Sequence, residues 1–248
     1  MLDYDAEADR YDETRGGVPR ARAAAEAVLR LVPPGARTLL DLACGTGLVT
    51  ERLGRPGLRV YGADAAHGMA RKAGRRVPGG VVLADARRLP FPDASVDAIS
   101  AVWLLHLVPF SDAIVAEAAR VLRPGGVLIA TVDKDAAHDV GSDIDRALAP
   151  YRSHARASDR ADRITATAAA HGLEAAGATR FTGHGQGTTP RRTAENLRSG
   201  YYASWFDGSP ETTAALVAEL AGLPDQDRPR GDPDYRLVSY RRPPVRRG

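Results

Sequence analysis

From Thr38 to Asp133 the chain alternates short, continuously apolar runs with longer stretches whose apolar residues recur at helical spacing. The runs 38–43, 59–64, 81–85, 96–103 and 126–133 read as five buried strands. Helices are predicted over 46–53, 66–76 and 112–122. In the last of these Ile114, Val115, Ala118, Ala119 and Leu122 share a face, and Arg123-Pro124-Gly125-Gly126 stops it. Strands without polar alternation, separated by helices, imply a parallel sheet covered on both faces. The expected fold is therefore α/β, a doubly wound Rossmann-like sheet whose ligands sit at the carboxyl ends of the strands.

Beyond Asp133 the pattern loosens. A helical stretch is expected over 142–173, interrupted at Pro150, then a sixth strand over 179–185. Tyr235–Tyr240 alternates in period two and reads as a seventh strand at or near an edge. Between these two strands, 188–223 forms an insertion with Tyr201, Tyr202, Trp205 and Phe206 close together. The whole is read as one domain: a lid and first helix over 1–34, a binding core over 35–140, and a cap over 188–223. The sheet is expected to have seven strands, mostly parallel with an antiparallel strand, and the cap sits between the last two.

Composition narrows the function. With 248 residues, 44% hydrophobic and 26% charged, the chain can bury one substantial core. No apolar run approaches the roughly 20 residues of a membrane span, and the acidic start lacks a secretory pattern. One cysteine, Cys44, excludes a disulfide framework and a multi-cysteine zinc site. No histidine pair has metal-ligand spacing with a carboxylate, so no metal is expected. The net charge of +3 is spread as scattered arginines, with a cluster only in the tail, and no nucleic-acid motif accompanies it. A cytoplasmic protein with a small-molecule partner is expected, without nucleic acid or membrane. A homodimer stays open.

The chemistry gathers at Asp41-Leu-Ala-Cys-Gly45-Thr-Gly47, where the first strand ends. Glycines let the backbone turn tightly and approach a ligand. The third glycine of a dinucleotide fingerprint is replaced by Thr50, and a phosphate loop would need Gly-Lys-Ser/Thr. An acid ahead of the glycines suits a ligand with an ammonium group. Cys44 reads as a small apolar filler.

This loop resembles the first motif of class I S-adenosylmethionine-dependent methyltransferases, with Ala43 in place of the first glycine. Six segments resemble that family in order. They run through Asp64 with Ala65 and Met69, Asp85-Ala86, Leu89–Asp97, Trp103–His106 and Arg120–Gly126. The N-terminal pattern around Tyr4 and Tyr11 is similar to the lid of small-molecule methyltransferases related to ubiquinone and menaquinone enzymes. The resemblance implies donor contacts by Asp41, Ala43, Gly45 and Gly47, and ribose binding by Asp64. It implies adenine contacts by Ala65, Met69, Asp85 and Ala86. Trp103 would flank the sulfur, and Tyr11 and Arg15 would lie over the methionine end. The expected product is S-adenosylhomocysteine. His106 either removes a proton from the acceptor or merely holds its loop. Tyr201 and Trp205 are expected to touch substrate from the cap, although the same aromatics would also serve as the cap's own core.

Methyl transfer needs alignment and water exclusion more than a fixed catalytic set, so the acceptor is an O, N or C atom of an unidentified small metabolite. Three other readings compete: a non-methylating enzyme or regulator on the same fold, a protein methyltransferase, and a nicotinamide dehydrogenase.

Overall fold

The computed structural model describes residues 4–152, 157–202, 206 and 208–244. Two short helices, α1 (Tyr4–Glu7) and α2 (Tyr11–Thr14), precede the long α3 (Gly17–Leu31). The parallel core follows: β1 (Thr38–Leu42), β2 (Arg59–Asp64), α4 (His67–Arg76), β3 (Val81–Leu83), β4 (Val96–Ala101), α5 (Ser111–Val121) and β5 (Leu122–Val132). Then come α6 (Asp143–Leu148), α7 (Ala161–Ala170), β6 (Glu174–Thr182), α8 (Pro190–Arg198), α9 (Pro210–Ala221) and β7 (Asp234–Arg241).

The seven strands lie in the order β3-β2-β1-β4-β5-β7-β6. β1 to β5 are mutually parallel, and β7 runs antiparallel to both β5 and β6. The expected seven-stranded, doubly wound sheet with one reversed strand is thus the observed one. β7 lies one strand in from the edge, and the edge itself is β6. One face of the sheet packs on α5 and α7 through Ile114, Val115, Ala118 and Ile164, all buried. The other packs on α3 through Ala24, Ala25, Ala27 and Val28.

Two expectations are corrected. The stretch 46–53 is no helix but a tight turn ending in a single 3-10 turn at Thr50–Arg52. Gly45 and Gly47 both take left-handed backbone angles, with φ of 58° and 79°. A right-handed helix therefore cannot start before Leu48, and Gly54 follows too soon for it to lengthen. The stretch 142–173 divides into α6, a 3-10 turn at Ala149–Tyr151 carrying Pro150, and α7. Pro150 lacks the N–H that would carry α6 onward.

α6, α8 and α9 share a separate small apolar cluster that includes Ile144, Leu148, Ala194, Leu197, Leu216 and Leu220. α6, from the segment after β5, thus packs with the two helices of the expected cap segment 188–223. Each cap helix has a side-chain cap at its start. Ser142 accepts from the Asp145 N–H, Thr189 from Arg192 and Ser209 from Thr212, with Pro190 and Pro210 in the first turn. Among the described residues no helix is long and apolar enough to cross a membrane.

Candidate functional site

One cavity of about 1100 Å³ opens between the carboxyl ends of β1, β2 and β4, the N-terminal helices and the cap. Tyr11, Arg15, Asp41, Ala43, Gly45, Asp64, Ala65, Met69, Asp85, Ala86, Trp103, His106 and Tyr201 all line it. Gly47 does not. A Cβ there would stand 2.9 Å from the Ala73 Cα, so this glycine lets α4 pack against the turn. Trp205 lies outside the described residues.

The strand ends are built to expose backbone. Among the described non-glycine residues, Ala43, Trp103 and Asp133 have φ between 51° and 55°, just past β1, β4 and β5. Such left-handed conformations cost of order 1 kcal/mol or more each and concentrate where a site demands them. The Trp103 N–H is held by the Thr131 hydroxyl at 3.1 Å.

Asp64 ends β2 and receives the Gly45 N–H at 2.7 Å and the Ala66 N–H at 2.8 Å, one on each oxygen. It thereby ties the glycine turn to the start of α4. A carboxylate has about four lone-pair sites, so acceptor capacity remains on both oxygens. Burial raises its pKa above the usual carboxylate range. Asp41 is more deeply buried and receives the Thr50 hydroxyl at 2.7 Å and the Ser100 hydroxyl at 2.7 Å. Burial lifts its pKa to about 6. Asp85 is half exposed, pairs with Arg87 at 2.5 Å and receives the Arg87 N–H, so it braces its own turn as well as facing the cavity. Cys44 packs where a Cβ on Gly62 would meet its sulfur, and burial pushes its thiol pKa up, the state of an inert filler.

The N-terminal segment is pinned over this floor. Asp12 accepts from the Thr46 hydroxyl at 2.5 Å and pairs with Arg76 at 2.7 Å. Asp5 accepts from the Gly68 N–H, and Lys72 donates to the Ala8 carbonyl. Arg15 donates to the Tyr201 hydroxyl at 3.3 Å, which joins the lid to the cap.

Arg20, absent from the sequence expectations, is buried and lies 3.4 Å from the Trp103 ring centre. Its Nε has no hydrogen-bond partner among the described residues, and it has no ion pair there. Burial pushes its pKa down, the signature of a cation kept from water without a compensating acid. The sequence carried a signal, since Arg20 falls in line with the buried Ala24 and Val28 on α3.

Lys134 and Asp135, paired at 2.9 Å, also line the cavity and were missed. Their position, immediately after β5 at the carboxyl edge, was the available clue. His106 and His138 stand nearby. The pKa of each is pushed down to about 3, by burial first and the Lys134 ammonium second, so both rings are neutral. The His138 Nε2 lies 3.2 Å from the Tyr235 hydroxyl, whereas the His106 Nδ1 is closed from solvent without a partner among the described residues. Trp103 packs edge to face on both Phe181 and Tyr235, which are tilted against each other, with all three centroid separations 5.5 Å.

Residues 40–130 match the methyltransferase domain family. Over 133 residues the chain is 36% identical to the ubiquinone/menaquinone biosynthesis C-methyltransferase of Desulfotalea psychrophila, covering 50% of this chain and 53% of that one. The chain spans about half the length of the curated relatives it matches. The crystal structure of the [4+2]-cyclase SpnF aligns with a TM-score of 0.59 and 21% identity, over 97% of this chain and 94% of that one. Geranyl diphosphate C-methyltransferase from Streptomyces coelicolor, solved with S-adenosyl-L-homocysteine, aligns with a TM-score of 0.52 and 18% identity over 89% and 78%. At these identities the two solved structures share the fold.

Proposed function

We propose that this chain, which matches the methyltransferase domain family over residues 40–130, transfers a methyl group from S-adenosylmethionine to a small-molecule acceptor. The observation that carries the proposal is the convergence of Asp64, the Gly45 turn and Asp85 on one cavity. The residues fit the donor's chemistry end by end. Asp64 keeps lone pairs for two ribose hydroxyls, while Ala65, Met69, Asp85 and Ala86 frame the base. Gly45 leaves open space where a Cβ would stand, and its φ of 58° suits glycine.

At the amino-acid end the two buried charges complement a zwitterion. Asp41, lifted to about 6 by burial, is brought back toward its ordinary ionisation by an ammonium group nearby. Arg20, which donates to the Arg15 carbonyl at 3.0 Å but has no acid beside it among the described residues, supplies the matching cation for a carboxylate. Tyr11 and Arg15 close over this end, and Trp103 flanks the position of the sulfur. The donor, when bound, supplies an electrophilic methyl group on a sulfonium. The protein aligns the acceptor, excludes water through the lid and cap, and disposes of a proton where the nucleophile carries one. His106, whose neutral ring lines the cavity, is the residue assigned that task. Tyr201 belongs to the acceptor side. A single buried cysteine suits a cytoplasmic setting.

Incubation with methyl-labelled donor and a panel of phenols, amines, enols and carboxylic acids tests the reading. It predicts S-adenosylhomocysteine release with at least one acceptor. Donor binding without release across the panel would favour a non-methylating enzyme or a regulator instead.

A further inference from the structure

We propose that Arg76 is a positioning residue: it ends a charged zipper along α4 that makes lid closure and the shape of the glycine turn one event. This rests on reading the cavity as the donor site, and it concerns how long a donor stays there.

Residues 4–15 carry five carboxylates, Asp5, Glu7, Asp9, Asp12 and Glu13, against two arginines. α4 carries Arg71, Lys72, Arg75 and Arg76 and no acid. The contacts between them follow the helix period. Gly68, Lys72 and Arg76 stand four residues apart and so share one face of α4. Gly68 donates its N–H to Asp5 at 2.5 Å, and a Cβ there would stand 3.1 Å from the same oxygen. Lys72 donates to the Ala8 carbonyl at 2.8 Å and pairs with Asp9 at 2.8 Å. Arg76 pairs with Asp12 at 2.7 Å. The lid thus follows α4 from its first turn to its last residue, with the Asp5 anion at the end where the helix dipole favours it.

Arg76 differs from the other two contacts because it also reaches the floor of the cavity. Its second terminal nitrogen donates to the Thr46 carbonyl at 2.7 Å, while the Thr46 hydroxyl donates to Asp12 at 2.5 Å. Thr46 stands between the two left-handed glycines and is buried. Three groups therefore close a ring: Asp12 of the lid, Thr46 of the turn and Arg76 of α4. None of them moves without breaking a bond to the other two. Arg76 does not itself line the cavity, whereas Thr46 and Asp12 do, so it acts through them. Tyr4, Tyr11 and Arg15 ride on the zipped segment and line the cavity, so opening the zipper is what uncovers a bound donor.

The test is hydrogen exchange by mass spectrometry on the ligand-free full chain, followed by stopped-flow release of S-adenosylhomocysteine. Arg76→Met leaves Glu51 its Arg52 partner, so no second acid is stranded. It should speed exchange about tenfold in residues 5–15 and also in 44–50, while 20–31 in α3 keeps the wild-type rate. Asp12→Asn, a change in the lid alone, should loosen the same turn. The double variant should match the larger single effect, because both changes break one ring. Release of S-adenosylhomocysteine should be about five- to tenfold faster in each variant, with association within about twofold of wild type. Turn exchange unchanged in Asp12→Asn, effects that add in the double variant, or release at the wild-type rate would overturn the proposal. Should Arg76→Met fail to fold, the turn's exchange in Asp12→Asn decides it. Failure of wild type to bind S-adenosylhomocysteine would instead strike the donor reading, and the exchange arm still decides whether the ring couples lid and turn.

Discussion

Replacing Asp41 by Asn should stabilise the protein at pH 8 and weaken donor binding. Asp41 is 3% exposed, and its carboxylate is compensated only by the hydroxyls of Thr50 and Ser100. Burial raises its pKa from 3.8 to about 6. A raised carboxyl pKa means that the folded state favours the protonated form. The associated stability is full below the unfolded pKa and is lost as pH rises through the folded one. About two pKa units correspond to about 3 kcal/mol lost at pH 8. Between pH 4.5 and 8 the change is about 2 kcal/mol, because the unfolded carboxyl has begun to ionise at the lower pH. Asn carries no charge but serves the two hydroxyls less well, at a cost of about 1 kcal/mol. Urea unfolding of both proteins at the two pH values reads the difference directly. Asp41→Asn should gain about 2 kcal/mol relative to wild type on going from pH 4.5 to 8, with a net gain of about 2 kcal/mol at pH 8. Asp159, also lifted to about 6, is common to both proteins and cancels. Donor affinity should fall tenfold or more, as expected for loss of a charged partner worth about 1.5–3 kcal/mol. A variant less stable than wild type at pH 8, or a stability gap that ignores pH, would refute the reasoning.

Ala43→Gly should raise stability by about 1 kcal/mol, since Ala43 holds a φ of 51° that glycine adopts freely; thermal unfolding checks it. Arg20→Met should leave the unliganded fold at least as stable, by urea unfolding, while calorimetry shows donor affinity reduced by about ten- to a hundredfold. Equal donor affinity would separate Arg20 from the carboxylate. The His106 ring should show no titration between pH 5 and 8 by NMR, as its pKa lies near 3. His106→Ala should slow turnover by about a hundredfold if the imidazole takes the proton.

The parallel half of the fold was legible because its strands are buried on both faces and read as mostly apolar runs without alternation, as in Leu39–Leu42, broken at Asp41, and Ala98–Ala101, broken at Ser100. The turn after β1 was misread because its apolar Leu48, Val49 and Leu53 have helical spacing, while the two left-handed glycines that forbid the helix were read only as ligand-facing. β6 was placed five residues late. Its sequence Glu174–Thr182 is Ala- and Gly-rich and mostly exposed at the sheet edge, so it carries little pattern. The floor of the cavity was visible through Asp41, Gly45 and Asp64, because backbone geometry restricts which residues can stand there. Arg20 and Lys134 were not. Each is a single cation that only tertiary packing carries into the cavity; in sequence Arg20 resembles the many surface arginines, and Lys134 stands between Asp133 and Asp135 like a solvated charge.

The central claim is tested most directly by calorimetric titration of S-adenosylmethionine into wild type and Asp64→Ala, with circular dichroism confirming that both are folded. If Asp64 accepts from both ribose hydroxyls as proposed, its loss should weaken binding by at least about thirtyfold, the equivalent of about 2 kcal/mol. Saturable binding in wild type, lost to that extent in the variant, is the predicted result. Absence of binding to folded wild type at millimolar donor, or equal affinity in the two proteins, would contradict it.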